Sequence, residues 1–318
     1  MEKIIEADLP VCDPHHHLWD YPDSMYMLDE FMQDVANGHR VRKTVYVECQ
    51  RHYRSTGPKA LQPVGETEFI EQLLARQQGD IEVAAGIVGF ADLTLGPAVQ
   101  EVLEAHIQAS PRFRGIRYMS AWDASEQIRN AQTGPTQNLL QRKDFRDGFA
   151  CLAGLGLAFD AWVYHPQLAE LLKLAQAFPE TTIIVNHSGG PLGIGPYADK
   201  RDEVFEIWQK GMRQLATSDN VVVKLGGLTM SMCGFGWNKR EIKPDSAELA
   251  EAMRPYYQTC IEYFGPQRCM FESNFPVDRV SCSYNVLWNA FKRLACGYSA
   301  TECSALLHDT AARSYRLD

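Results

Sequence analysis

The chain has 318 residues, long enough for one α/β barrel or two average domains, and its 45% hydrophobic content suffices for a large core. A net charge of −9 argues against a nucleic-acid or anionic-membrane partner, and no stretch offers the roughly 18 consecutive apolar residues of a membrane span. Nine cysteines without a C-x-x-C pair favour reduced thiols over a disulfide framework or a zinc ribbon. We therefore expect a cytoplasmic protein that acts on a small molecule, with homo-oligomerisation left open.

Short apolar runs, each followed by a longer helical pattern, recur along the chain. The runs predict strands near 9–13, 43–49, 82–90, 113–118, 157–163, 182–187, 220–225 and 268–272. Their cores are almost continuously apolar, as in a parallel sheet covered on both faces. Eight such units predict a (β/α)₈ TIM barrel that occupies residues 1–318 as a single domain. A doubly wound sheet would need fewer strands and a Gly-rich turn after the first strand, where this chain has three histidines.

The three histidines follow the first predicted strand in the segment Val-Cys-Asp-Pro-His-His-His-Leu-Trp-Asp (11–20). Side chains alternate along a strand, so His15 and His17 should point the same way. Two imidazoles at a strand end make a catalytic pair or half of a metal site. A tag remnant is the alternative, but a tag has about six histidines in a flexible tail, and this run has apolar and aromatic neighbours.

Polar or ionisable groups end most of the other predicted strands, at the face of a barrel where catalytic residues gather. The candidates are Glu48, Arg117, Tyr164, His165, His187, Lys224, Glu272, Asn274 and Asp278. Each has a structural alternative: His187 could be a hydrogen-bonded core histidine, Arg117 and Glu48 could be members of ion pairs, and His165 before a proline could begin a helix. Trp237, on a loop with two glycines, is the candidate for a lid over the substrate.

Five motifs in order resemble the amidohydrolase superfamily, and within it the amidohydrolase-related family of sugar-lactone and pyrone-dicarboxylate lactonases. They are Asp-Pro-His-His-His-Leu-Trp-Asp (13–20), Phe-Arg-Gly-Ile-Arg (113–117), Asn-His-Ser-Gly-Gly-Pro (186–191), Val-Val-Lys-Leu-Gly-Gly-Leu (222–228) and Glu-Ser-Asn-Phe-Pro-Val (272–277). The resemblance implies a barrel in which His15 and His17 lie beside His187 and polarise a carbonyl, with or without a divalent metal such as zinc. It further implies His15, His17 and His165 as metal ligands and Arg117 as a substrate-binding residue, and Glu48, Tyr164, Asn274 and Trp237 are added as candidate substrate contacts.

Two positions depart from the family pattern. Relatives commonly carry aspartate before the sixth-strand histidine and in Gly-Ser-Asp-Trp-Pro at the eighth strand, whereas this chain has Asn186 and Asn274. The eighth-strand aspartate usually activates water, and an amide cannot take a proton at neutral pH. Glu272, Asp278 or Glu48 is therefore the expected base, unless the reaction needs none. The loss of this aspartate also weakens the expected metal site.

Three functional interpretations follow. The first is a hydrolase that opens a lactone or related cyclic ester of a small carboxylated or hydroxylated metabolite, with Glu272 or Asp278 activating the water. The second is a metal-dependent decarboxylase or other lyase that acts on an aromatic or enol carboxylic acid and does not need the missing base. The third is a barrel that has lost its chemistry and binds a small ligand, which the retained histidines and Arg117 make the least favoured.

Overall fold

Eight parallel strands form a nearly closed barrel in the computed structural model, which describes residues 2–75 and 79–317. The strands are β1 (Pro10–His16), β2 (Arg40–Val47), β3 (Glu82–Gly89), β4 (Phe113–Met119), β5 (Ala158–Trp162), β6 (Ile183–Val185), β7 (Val221–Leu225) and β8 (Cys269–Phe271). Each pairs with the next in chain order. The predicted (β/α)₈ architecture and all eight predicted strands are thus confirmed, with ends that differ by a few residues.

The barrel closes between β8 and β1 through a short seam. A single bridge joins His16 to Phe275, and backbone hydrogen bonds run from Asn274 N to the His15 carbonyl at 2.9 Å and from His17 N to the Phe275 carbonyl at 2.8 Å. The register of β1 against β2 shifts between Asp13 and His16, where Pro14 interrupts the ladder. The histidine segment therefore lies at the seam.

Helices cover the outside of the barrel between successive strands. They are α1 (Leu28–Val35), α2 (Val64–Leu74), α3 (Val99–Ala109), α4 (Lys143–Phe149), α5 (Cys151–Gly154), α6 (Leu168–Ala177), α7 (Arg201–Leu215), α8 (Ser246–Phe264), α9 (Tyr284–Ala295), α10 (Ala300–Ser304) and α11 (Thr310–Tyr315). A small antiparallel hairpin, Trp19–Tyr21 with Ser24–Tyr26, follows β1. None of the described helices is long and apolar enough to span a membrane.

The inside of the barrel has an apolar layer near the amino ends of the strands and a polar layer above it. Residues two apart on a strand share a face, and on four strands an apolar residue of the lower layer is followed two positions later by a polar one. The pairs are Ala158 and Asp160, Ile184 and Asn186, Val222 and Lys224, and Met270 and Glu272. The C-terminal residues Tyr315 and Leu317 pack against the lower layer. This period-two pattern places the ionisable side chains at the carboxyl end of the barrel.

Candidate active site

Three histidine rings meet at the carboxyl end of the barrel. The centre of the His15 ring lies 4.9 Å from that of His17 and 4.6 Å from that of His187. His16 faces the other way, stacking on Phe31 at 4.0 Å. The alternation expected for β1 therefore holds, and the structure brings the three predicted histidines together.

Glu272 joins two of these histidines. Its Oε1 lies 2.7 Å from His187 Nδ1 and its Oε2 lies 2.7 Å from His15 Nδ1, with all three residues buried. The His187 backbone N–H also donates to Oε1 at 2.9 Å. Burial alone would raise the pKa of Glu272, but His187 and Lys224 outweigh burial and hold that pKa below its usual value. Glu272 is therefore a carboxylate at neutral pH.

The position of the proton on His15 follows from Glu272 and from two neighbouring cations. Arg117 Nη1 lies 3.3 Å from His15 Nε2, and Lys224 Nζ lies 3.2 Å from His15 Nδ1. Neutral imidazole has one acceptor nitrogen, so it cannot accept from both. The shorter contact with Glu272 assigns the proton to Nδ1, and Nε2 accepts from Arg117, while Lys224 donates to Asp160 at 2.6 Å. Burial, reinforced by the charge of Lys224, keeps the pKa of His15 well below its usual value, so the ring is neutral.

The tautomers of His17 and His187 follow from their partners. His17 Nδ1 lies 2.7 Å from the Val47 carbonyl and must donate to it, and His187 Nδ1 likewise donates to Glu272. In its neutral form, each ring therefore presents an unprotonated Nε2. Burial, with the nearby charge of Arg117, also lowers the pKa of His17 well below its usual value. Both rings line the cavity at this end of the barrel and offer it proton acceptors.

The cavity has a volume of about 440 Å³ and largely apolar walls. The hairpin supplies Trp19 and Tyr21, and the end of β5 supplies Trp162 and Tyr164. Three methionines also line it, namely Met119, Met230 and Met232.

Arg117 and Glu48 form an ion pair beside the histidines. The Nε of Arg117 donates to Glu48 Oε1 at 2.9 Å, and Nη2 donates to the Glu48 carbonyl. Arg117 lines the cavity, whereas Glu48 does not and has no exposed surface. Glu48 is therefore a member of a structural ion pair, the alternative considered for it, and does not contact the substrate in this arrangement.

The predicted metal ligand His165 lies outside the histidine cluster. Its Nδ1 accepts the Leu192 N–H at 3.4 Å, and its ring packs edge-on against Tyr197 at 5.0 Å. The backbone at His165 begins a short helical turn, and the side chain does not line the cavity. Among the described residues, the group with metal-ligand spacing is instead His15, His187 and Glu272, whose ligand atoms lie within 4.8 Å of one another.

Two further predictions are corrected by burial. Trp237 stacks on Phe235 at 4.4 Å, donates to Glu248 and does not line the cavity, so it is not a lid in this structure. Asp278 has no exposed surface and lies behind Asn274, whose Nδ2 donates to it at 3.3 Å. Burial raises the pKa of Asp278 to about 8, which leaves it mostly protonated at neutral pH and unsuited to act as the base.

Comparison with known proteins identifies the family of the chain. The family described as amidohydrolase matches residues 12–317. The chain belongs to the amidohydrolase family. It is therefore an enzyme of the amidohydrolase superfamily, with the TIM barrel of that group.

Relatives of this amidohydrolase extend over nearly the whole chain. An uncharacterized protein of Sinorhizobium fredii, y4mH, is 35% identical over 98% of this chain and all of its own length. An L-fucono-1,5-lactonase of Burkholderia multivorans is 25% identical over 96% of this chain and 95% of its own. A solved amidohydrolase of Burkholderia multivorans with bound zinc superposes with a TM-score of 0.75 at 23% identity, covering 97% of this chain and 99% of the other. That superposition supports the fold.

The donor atoms of the cluster suit a divalent metal ion in kind and spacing. Two imidazoles and a carboxylate are the ligands zinc prefers, and His15, His187 and Glu272 would hold it. Such an ion would act as a Lewis acid on a carbonyl oxygen. Positive charge already lies beside these donors, on the Lys224 ammonium, 3.9 Å from Glu272 Oε2, and on the Arg117 guanidinium. These charges would oppose the binding of a metal cation.

Proposed function

We propose that this amidohydrolase opens a lactone or related cyclic ester by hydrolysis, with His187 as general base. The observation that carries the proposal is the pair formed by His187 and Glu272, because a buried carboxylate 2.7 Å from Nδ1 leaves Nε2 free to take a proton. The match to an L-fucono-1,5-lactonase supports the same reaction class.

The reaction follows from the proton positions. His187 Nε2 accepts a proton from water, the water oxygen attacks the carbonyl carbon, and Glu272 stabilises the imidazolium that forms. His17 Nε2 accepts the other hydrogen of the water. The charge of Arg117 stabilises the oxyanion. The ring C–O bond then breaks, and the leaving oxygen takes the proton from His187, giving a hydroxy acid.

This mechanism changes the role expected for the histidines. Neutral rings that donate from Nδ1 to Val47 and Glu272 present acceptors to the cavity, so His17 and His187 cannot donate hydrogen bonds to an oxyanion. Arg117, a permanent donor and cation, takes that role. Glu272, expected as a possible base, instead serves as the counter-charge of His187 in this mechanism.

The experiment is turnover of a panel of five- and six-membered lactones, followed by acid release with a pH indicator. His187→Ala should lower kcat/KM by about 10³-fold, the range for a general base. Glu272→Gln should lower it mainly through kcat, because the imidazolium loses its counter-charge. His308→Ala, whose histidine pairs with Asp309 away from the cavity, is the matched control and should be unaffected. If His187→Ala turns over a lactone as fast as the wild-type protein does, the mechanism is contradicted.

A second candidate, decarboxylation of an aromatic or enol acid, is favoured by one observation. Asn274 lines the cavity where relatives commonly carry the water-activating aspartate, and a lyase needs no such base. The reactions differ in product, since decarboxylation releases carbon dioxide and consumes a proton whereas lactone opening releases one. The same indicator assay, run with aromatic acids and a carbon dioxide electrode, distinguishes them.

A further inference from the structure

The cavity wall carries positive charge but no acidic side chain. Among the described residues that line it, none is aspartate or glutamate, because Glu48, Glu272 and Asp278 all lie behind the wall with no exposed surface. Its side-chain acceptors are neutral groups, on His17, His187, Asn130, Gln132 and Asn274. An anionic group of a ligand therefore meets positive charge and no carboxylate on this wall.

Two cationic side chains line the cavity, and they differ in their partners. Arg117 donates from its three nitrogens to Glu48 and His15, which leaves two of its five N–H groups for the reacting carbonyl. Arg129 reaches the cavity from an exposed position at its mouth. It has no carboxylate within ion-pair distance in the part of the chain that the structure describes. Its guanidinium fork is therefore available to a ligand.

The loop that carries Arg129 is held in place by its neighbours. The Tyr164 hydroxyl donates to the Arg129 carbonyl at 2.5 Å. Asn130 accepts from the Asp123 N–H at 2.7 Å and donates to the Asp123 carbonyl at 3.2 Å, and Ala131 N donates to the Ala121 carbonyl at 2.9 Å. These bonds fix the backbone at the arginine and just after it. A positioned donor loses less entropy on binding than one on a free loop.

Tyr164 lies beside Arg129, since its hydroxyl bonds the Arg129 carbonyl and both residues line the cavity. Trp162 packs edge-on against Tyr164 at 5.6 Å and lines the cavity as well. Arg129 is therefore next to the aromatic wall that Trp162 and Tyr164 form. An anionic group bound there would leave the rest of the ligand against aromatic surface.

We propose that Arg129 is the specificity residue of this site and binds a carboxylate on the substrate, which selects an anionic cyclic ester over a neutral one. The role that the family resemblance gives to Arg117 is thus divided, with Arg117 serving the reacting carbonyl and Arg129 the distant anion. The inference rests on the proposed function for the ring chemistry. The charge selection itself is a binding property and can be measured without turnover.

The binding test uses two unreactive lactams, 5-oxopyrrolidine-2-carboxylate and its carboxamide, titrated against the full-length protein by calorimetry. Wild type should bind the carboxylate about tenfold or more tightly than the amide, as expected for a charged bidentate contact. Arg129→Gln should bring the two affinities within about threefold, and Arg129→Lys should restore part of the difference. Arg213→Gln, which removes an exposed arginine of α7 that does not line the cavity, should behave as wild type.

Turnover of the matching lactones, 5-oxooxolane-2-carboxylate and its carboxamide, completes the test. Arg129→Gln should raise KM for the carboxylate and leave kcat within about threefold, as for lost ground-state binding. Equal binding of the two lactams by wild type, no binding of either, or retained selectivity in Arg129→Gln overturns the assignment. Charge-selective binding without turnover of any lactone upholds Arg129 and rejects lactone hydrolysis.

Discussion

At the residue scale, Glu272 supplies a buried carboxylate two residues before Asn274, the position at which relatives commonly carry aspartate. Its side chain occupies space that Gly226 leaves open, because a Cβ at Gly226 would lie 2.2 Å from Glu272 Cγ. Such a distance is far below van der Waals contact. The glutamate and the glycine therefore depend on each other, and the carboxylate reaches both His15 and His187 from below the cavity.

Asp278 gives a prediction of the pH dependence of stability. Burial raises its pKa in the folded protein to about 8 from an ordinary 3.8, so between these pH values the folded state holds a proton that the unfolded state releases. Stability should therefore fall as pH rises from about 4 to 8. Asp278→Asn is neutral throughout and keeps the acceptor for Asn274, so relative to wild type it should gain on the order of 2 kcal/mol or more between pH 5 and pH 8. Urea unfolding at both pH values measures this, and an equal difference at the two would contradict it.

At the element scale, the turn after β7 positions His187. Gly227 has a φ of +71°, and a Cβ there would lie 2.5 Å from His187 Cβ. His187 itself has a φ of +52°, an uncommon conformation for a non-glycine residue. Such backbone strain persists only where the surroundings enforce it and is concentrated at functional sites. The two turns therefore fit each other closely.

Gly227→Ala tests whether the close approach of Gly227 to His187 matters for activity, beyond the stability cost of a positive φ. Gly236 has a φ of +74° and open space around its Cβ position, so Gly236→Ala is the matched control. Both variants should lose about 1 kcal/mol of stability from the positive φ. Gly227→Ala should in addition lose at least about tenfold in lactone turnover because His187 is displaced. Similar activity in the two variants would show that the His187 position tolerates the added methyl.

The elements were more predictable than the directions of the side chains that follow them. Continuous apolar runs identify buried parallel strands, and the period of two brings His15 and His17 to one face. His165 was misplaced because it follows a strand but begins a helical turn, and nothing in the sequence fixes which way such a residue points. The Glu48–Arg117 pair and the lack of exposure of Trp237 depend on contacts across the barrel. Arg129 lies on a loop without a motif, so only its position at the cavity reveals it.

At the scale of the whole molecule, the C-terminal helix reaches the polar layer inside the barrel. The Tyr315 hydroxyl lies 2.8 Å from both oxygens of Asp160, which also accepts from Lys224 and Asn186. Lys224 in turn contacts His15 and Glu272. The end of the chain is therefore connected to the active site through buried charges.

Tyr315→Phe tests that connection. Loss of a hydrogen bond to a buried carboxylate should cost about 1.5–3 kcal/mol of unfolding free energy. Tyr263→Phe, on the partly exposed face of α8, is the control and should cost less than about 0.5 kcal/mol. Thermal and urea unfolding of the two variants give the comparison. A Tyr315→Phe protein as stable as wild type would show that water or another donor serves Asp160 equally well.

The sparse joint between the last strand and the first has a consequence for assembly of the enzyme. His15, His17 and Asn274 take part in the few backbone bonds that join these strands, so an open, unjoined sheet would lack a reaction centre even with all its other strands paired. Catalytic competence and circular completion of the sheet would then be gained in one step during refolding, and recovery of turnover would report the moment at which the first and last strands meet.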